Sequence, residues 1–376
     1  MRVAIVRRAP RASFSMDVYA DGLVSGLKAI KPEWEIIELA PETPDNSKKS
    51  HAFLNGLKKY YQRYWKFPNF LRKQKVDVFH IMDQTDGYLV SWLKSSSAPV
   101  IITCHDLINL VMPESFKGRA RFPLLSMTTW KLAVKGMEGA EHIVSVSSHT
   151  AKDTIENLKV NPKQITVVPN AVDSMFRTIS TEEVKSFRQH IGISPETICL
   201  LNVGSNNLRK NVSTILKVVA LLKNKGISVH FWKVGVKFNA DQEDFIQTHD
   251  LKNCVSYLGI PEEETLVKIY NSADVLLAPS SYEGFGLTVL EAMACGTPVI
   301  ASNVTSLPEV VGDAGILVDP EDSSAIALAV QRIYEDNSYR KSLIEKGLSR
   351  AKLFTWEKTA EQIATVYEQS LKNKKI

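Results

Sequence analysis

The sequence predicts an α/β protein of two doubly wound domains, each a parallel sheet flanked by helices. Three observations carry this. Short continuous apolar runs alternate with amphipathic segments, the alternation restarts near residue 197, and 376 residues exceed what one ordinary core organises. In the first half the apolar runs lie at 3–6, 35–39, 76–82, 100–103, 142–146 and 165–168, with an amphipathic segment at 18–30. In the second half strands are expected at 198–203, 228–234, 254–258, 275–278, 298–301 and 315–318. Helices are expected there at 212–223, 262–271, 288–294 and 323–336. Runs this short, apolar throughout and separated by helices, read as parallel strands covered on both faces. Residues 170–196 read as a linker of mixed charge. Residues 356–371 read as a closing helix, with Ala360, Ile363, Val366 and Tyr367 at helical spacing.

Composition narrows the class. At 44% hydrophobic and 23% charged residues the chain is a globular protein, and no run approaches the ~20 apolar residues that span a bilayer. The first residues enter a strand-like run without a signal-peptide layout, so a cytoplasmic location is expected. Cys104, Cys199, Cys254 and Cys295 show no C-x-x-C pairing and read as reduced packing residues. Charge is uneven. Residues 1–170 hold 24 Lys+Arg against 16 Asp+Glu, and the remainder 22 against 25. The basic half should meet something anionic.

Chemistry concentrates where strands end, the edge at which doubly wound sheets bind ligands. In the stretch 280–298 a strand ends near Pro279, a glycine turn follows, and a helix starts near Gly286 and stops at Gly296 and Pro298. The glycines let backbone N–H groups approach a ligand, and a helix N-terminus presents unpaired donors to a phosphate. Glu291 sits in an otherwise apolar helix, where a carboxylate is costly unless hydrogen-bonded; a ribose diol would satisfy it. Glu283 lies eight residues earlier, roughly 12 Å away at helical rise. The bland alternatives are that Glu283 favours a helix N-terminus electrostatically and that Glu291 pairs with a core arginine. The stretch 202–212 repeats the geometry: a strand, Gly204 and Ser205, then Arg209 and Lys210 directly before a helix capped by Asn211. Two cations there suit a diphosphate leaving group, against the alternative of a solvated basic loop.

Together these segments resemble the retaining glycosyltransferases of family 4, whose fold, GT-B, is two Rossmann-like doubly wound domains facing across a cleft. The resemblance covers almost the whole chain. Its most specific part is the E-x7-E run from Glu283 to Glu291 around Gly284-Phe285-Gly286-Leu287, supported by Arg209-Lys210-Asn211, Cys104-His105-Asp106-Leu107 and Val168-Pro169-Asn170. It implies an N-terminal acceptor-side domain, 1–175 completed by 356–376, and a nucleotide-sugar donor domain, 176–355. It implies that Arg209 and Lys210 hold the donor diphosphate and that Glu291 binds the ribose. Glu283, Gly284, Phe285 and Gly286 would then hold the transferred sugar, Leu287 and Thr288 would offer amides to the diphosphate, and Ile260 would flank the base. His105 would sit beside the donor sugar. His80, similarly placed at a strand end, is expected with Arg7, Arg8 and Arg11 on the acceptor or membrane side. Retention is attributed in this family to front-face displacement without an enzyme nucleophile, so the cations would stabilise charge developing on phosphate. No cofactor or metal is expected, since no D-x-D motif is present. The chain departs from the family in having Arg7, Arg8 and Arg11, and no glycine, after the first strand. It also has Ser205 where some relatives place arginine.

The expected function is therefore transfer of a hexose from a UDP- or GDP-linked sugar to a glycan or lipid-linked acceptor in polysaccharide biosynthesis. A nucleotide-sugar epimerase of the same fold and a non-catalytic subunit of a polysaccharide machine are the competing readings. No G-x-G-x-x-G follows the first strand, which disfavours a dehydrogenase, and nothing points to nucleic acid. Between Asp45 and Asp77 nine basic residues, among them Lys58, Lys59, Arg63 and Lys66, interleave with aromatics and meet no acid. Such a stretch suits an anionic membrane surface on the cytoplasmic side; the alternative is an ordinary helix with its aromatics in the core.

Overall fold

The structure, a computed structural model, describes residues 1–9, 14–42, 58, 60–116 and 123–374. The chain divides into two compact units, 1–171 with 356–376, and 172–355. All twelve expected strands form, each within two residues of its expected ends. In the first unit β1 (Arg2–Val6), β2 (Glu35–Leu39), β3 (Val78–Ile81), β4 (Val100–Cys104), β5 (His142–Ser145) and β6 (Ile165–Val167) make one parallel sheet of order β2-β1-β3-β4-β5-β6. In the second, β7 (Ile198–Gly204), β8 (Val229–Gly235), β9 (Val255–Tyr257), β10 (Val275–Ala278), β11 (Val299–Ser302) and β12 (Ile316–Val318) make a parallel sheet of order β12-β11-β10-β7-β8-β9.

The continuous apolar runs follow from burial on both faces. Along β1, Val3 and Ile5 pack with Tyr19, Leu23, Ile363 and Tyr367. Ala4 and Val6 face the other way, with Phe79, Ile102 and Leu71. Alternate residues of a strand point to opposite faces, so a sheet helix-covered on both sides loses the polar half of its pattern. β7 behaves alike: Ile198 and Leu200 pack with Leu216, Val219, Phe231 and Val330.

Each sheet has one point where strand order reverses, between β1 and β3 in the first unit and between β7 and β10 in the second. Helices leave opposite faces there, so the carboxyl ends of these strand pairs open a crevice.

The linker expectation at 170–196 is corrected. Thr181–His190 is a helix, entered through a capping box in which Ser180 Oγ accepts from Glu183 N–H and the Glu183 carboxylate accepts from Ser180 N–H. None of its residues is buried, so it carries no apolar period and only the Ser-x-x-Glu signature marked it.

The closing helix is Trp356–Lys374, with Ala360, Ile363 and Tyr367 fully buried. It packs against the helix Phe14–Ile30, and the approach depends on two glycines. A Cβ at Gly22 would sit 2.0 Å from the Trp356 ring, and one at Gly26 would sit 2.6 Å from Trp356 O. In an open helix Gly→Ala gains about 1 kcal/mol. Here Gly22→Ala should instead lose about 1–3 kcal/mol through overpacking. Urea melts check this; a Gly22→Ala protein as stable as wild type would refute the close packing, and Trp356→Ala should relieve the loss in the double variant.

Candidate functional site

The two loops singled out by sequence leave β7 and β10, the strands that flank the reversal in the second unit. After β7 the chain passes Gly204 and Ser205, makes a short turn at Leu208–Lys210, and starts the helix Val212–Asn224. After β10 it runs through Ser280–Gly286 into the helix Leu287–Ala294. Gly286 has φ +113°, and a Cβ there would lie 2.6 Å from Leu307 Cδ2. Only glycine makes that turn, which leaves the amides of Leu287 and Thr288 at the helix start.

Glu283 ties the two loops together. Its Oε2 accepts from Arg209 Nη1 at 2.7 Å, and its Oε1 accepts from Lys210 Nζ at 2.6 Å and from Ser280 Oγ at 2.8 Å. Its backbone N–H donates to Thr305 Oγ1 at 3.1 Å, and Ser306 Oγ donates to its carbonyl and to that of Phe285, each at 2.9 Å. Arg209 also donates to Tyr282 O, and its own carbonyl accepts from Ser281 N–H. Burial would raise the Glu283 pKa. The Lys210 and Arg209 charges, with the hydrogen bonds from Lys210 and Ser280, outweigh it and hold the carboxyl at about 2. The group is ionised throughout the neutral range, so it is neither a general acid nor a general base there.

Glu291 is the opposite case. Burial pushes its carboxyl up to about 7, against a hydrogen bond from Tyr270 Oη at 2.5 Å and the charge of Lys210. The expected core-arginine alternative is thus replaced by a tyrosine. Ser205 Oγ accepts from Asn207 Nδ2, and Ile260 stands 83% exposed just beyond β9, on the same sheet edge. Asn211 does occupy the helix start, but its side chain makes no cap. It donates to Pro320 O and accepts from Thr214 Oγ1, with φ +52°.

In the first unit His105 follows β4. Its ring is buried edge-on against Tyr19, with Nε2 2.9 Å from Met82 O, and its backbone N–H donates to Gln84 Oε1. A carbonyl only accepts, so Nε2 carries the proton; burial lowers the ring's pKa, leaving Nδ1 an unprotonated acceptor.

Several first-unit assignments are corrected. His80 is fully buried between Tyr367 Oη at 2.7 Å and Thr103 Oγ1 at 2.8 Å, and burial with the nearby His105 lowers it to about 3. It is a neutral core residue, not an acceptor-side ligand. Arg7 is consumed by Asp17, Asp21 and Glu38, and Arg8 pairs with Asp83 at 3.2 Å. Arg63 turns inward to Asp86 at 2.8 Å, over the rings of Tyr64 and Tyr88, so it does not face a membrane. Lys66 is exposed and pairs with Glu42 at 2.7 Å. Lys58 is exposed. Arg11 and Lys59 lie outside the described residues.

Sequence reasoning missed Tyr270, Ser280, Thr305 and Ser306. Ser280 adjoined the motif, but nothing in spacing linked the other three to it.

A model described as glycosyl transferases group 1 matches residues 183–350, and one described as Glycosyltransferase Family 4 matches residues 16–176. The chain is 30% identical over 273 residues to the O-antigen chain mannosyltransferase B of Escherichia coli, covering 71% of this chain and 70% of that protein. Two solved structures share the fold. Sucrose-phosphate synthase of Thermosynechococcus elongatus has a TM-score of 0.77 at 22% identity over 98% of both chains. Anabaena HepE in complex with UDP has a TM-score of 0.75 at 17% identity over 98% of this chain and 100% of that one.

The raised carboxyl of Glu291 has a stability consequence. A carboxyl whose folded pKa, about 7, exceeds its usual 4.5 takes up a proton on folding between those values, so it costs stability progressively as pH rises through that window. Glu291→Gln should therefore match wild type in acid and exceed it by about 3 kcal/mol above neutrality. Melts across that window check it, and a constant difference between the two proteins would contradict it.

Proposed function

Since the chain belongs to glycosyltransferase family 4 and carries the GT-B fold, we propose that it transfers a hexose with retention of configuration. The donor is a UDP- or GDP-linked sugar, and the acceptor a glycan or lipid-linked glycan in polysaccharide biosynthesis. The observation that carries the donor half is the Arg209–Glu283–Lys210 cluster at the strand-order reversal, beside the start of the helix Leu287–Ala294. HepE holds UDP in its crystals, and the Escherichia coli relative is a mannosyltransferase. Uridine and guanosine diphosphates, and mannose among sugars, are therefore the first ligands to test.

In this reading the diphosphate lies between the Arg209–Lys210 turn and the amides of Leu287 and Thr288. Charge accumulates on its oxygens as the glycosidic bond breaks, and fixed donors that need no reorganisation stabilise that charge most. Glu283 stays ionised and accepts from sugar hydroxyls. The ribose diol donates to Glu291, which favours its charged form and draws its pKa down on binding. His105, neutral, serves as a hydrogen-bonding group and not as a base. With two cations and a helix end on the leaving group, the proposal includes no divalent metal.

Sugar transfer measured in excess EDTA is expected to persist, and this sets the frame for the variants. Lys210→Ala should lower kcat by about 100-fold, the scale for one donor to a developing oxyanion. Glu291→Ala should chiefly raise the donor KM. Activity lost to EDTA and restored by Mn2+, or a Lys210→Ala effect confined to KM, would refute the assignment. Donor consumed without any acceptor and converted to an isomer would instead identify an epimerase.

A second proposal concerns the surface of the first unit. Tyr60, Tyr61, Trp65 and Phe70 are 54%, 58%, 56% and 46% exposed, among the exposed Lys58, Lys66, Arg72, Lys73 and Lys75. Rings and cations exposed side by side suit the headgroup level of an anionic leaflet, where each cation contributes about 1 kcal/mol. Co-sedimentation with phosphatidylglycerol vesicles should drop at high salt and when Lys58, Lys66, Arg72 and Lys73 are all changed to Gln. Equal pelleting of both proteins would exclude membrane docking while leaving the donor assignment intact.

A further inference from the structure

Lys233 is a lysine with no solvent-exposed surface, set between the buried apolar residues Trp232 and Val234 of β8. It lies on β8, level with Asn202 of β7 and Tyr257 of β9. Its ammonium donates to Gly204 O and to Val234 O, each at 2.8 Å. Among the described residues no carboxylate pairs with it. An apolar side chain of similar length would fill the same slot without the cost of desolvating a charge, so packing alone does not account for a lysine there.

What Lys233 holds is the end of β7. Gly204, with φ +127°, directs its carbonyl back into the sheet, where it accepts from Lys233 and from Val236 N–H at 3.1 Å. A peptide is planar and trans, so the Ser205 N–H points the opposite way from that carbonyl. It meets no acceptor among the described residues. Lys210 stands at the same glycine: a Cβ on Gly204 would lie 3.6 Å from its Cε and 3.7 Å from its Nζ. Arg209 and Lys210 share the Glu283 carboxylate at this turn, and Lys233 reaches it from inside the sheet with no carboxylate beside it among the described residues.

Resting on the donor reading above, we propose that Lys233 is a positioning residue for the donor diphosphate. It fixes the Gly204–Ser205 peptide with the Ser205 N–H turned outward to phosphate, and it supplies from inside the sheet a cation whose counter-ion is the ligand. The charged and titratable groups around it are Lys210 from the β7 turn and Tyr257 from β9, whose hydroxyl is committed to Gly235 O. Burial, and then the charge of Lys210, lower the Lys233 pKa to about 8. The sign of the coupling follows. Below that pH the free protein already carries the charge. Above it, binding an anion must draw in a proton, and affinity falls by up to about tenfold per pH unit.

Calorimetric titration with UDP, and separately with GDP, tests this at about pH 7 and about pH 9, in two buffers of different ionisation enthalpy. Wild type is compared with Lys233→Met and Lys233→Gln. Wild type should bind more weakly at the higher pH and take up close to one proton there. The variants should bind about tenfold more weakly at neutral pH and lack that uptake. Glu291 and the nucleotide contribute equally to all three proteins, so the difference isolates Lys233. Variants that bind with wild-type affinity and wild-type proton uptake would overturn this inference alone. If neither variant folds, wild-type uptake near pH 9 decides, and its absence overturns the proposal. Wild type that binds neither nucleotide overturns the donor reading and this inference with it.

Discussion

The bridging of two loops by one carboxylate is the constraint on which the second unit's site depends. Glu283 is 8% exposed, and its two oxygens take an arginine, a lysine and a serine hydroxyl. A buried ion cluster of this kind is not a source of net stability, because desolvation consumes most of its Coulomb gain. What it provides is position. Arg209 and Lys210 come from the loop after β7 and Glu283 from the loop after β10, so the cluster pins both walls of the crevice that the strand order creates. Removing Glu283 would take away the carboxylate that two part-buried cations share; removing either cation would leave the carboxylate with less than its charge requires.

Glu283 and Glu291 stand eight residues apart on one motif, yet their environments drive them in opposite directions, to about 2 and about 7. Cations outweigh burial at the first, whereas at the second burial outweighs one tyrosine hydroxyl and a more remote lysine. The contrast separates their uses. A carboxylate paired with two cations is a fixed anion that orders its neighbours, while one held by a single tyrosine hydroxyl keeps capacity to accept further hydrogen bonds.

The first unit spends its charged and titratable groups differently. Arg7 closes a three-acid cluster at the end of β1, Arg63 anchors Asp86 beneath two tyrosines, and His80 joins Thr103 to the closing helix through Tyr367. These are interactions that hold strand ends and the chain terminus in place. The basic excess of this half therefore overstates what it offers a ligand. Cations stand exposed beside Trp65 and Phe70, whereas Arg7 and Arg8, after β1, are part-buried and paired with acids.

The sequence by itself determined every strand of both sheets. Strands covered on two faces must be continuously apolar, and the glycine turns and helix starts that punctuate them are local chemistry. It also marked both loops of the candidate site, since each sets glycine close before a helix start and the first adds the Arg209–Lys210 pair. It marked less of the helix Thr181–His190, whose capping box was visible but whose exposed face gives no period. Tertiary structure alone decided the rest. Which carboxylate meets which cation depends on β7 and β10 being neighbours, although 70 residues separate their loops. Whether an arginine is available depends on acids brought in from other elements, as Asp21 and Glu38 reach Arg7. Lys233 stood in plain view as the one charge within an apolar run. Only the register of β8 against β7 shows that its ammonium holds the Gly204 carbonyl, because a strand's pattern fixes the face of a side chain but not the partner it finds there.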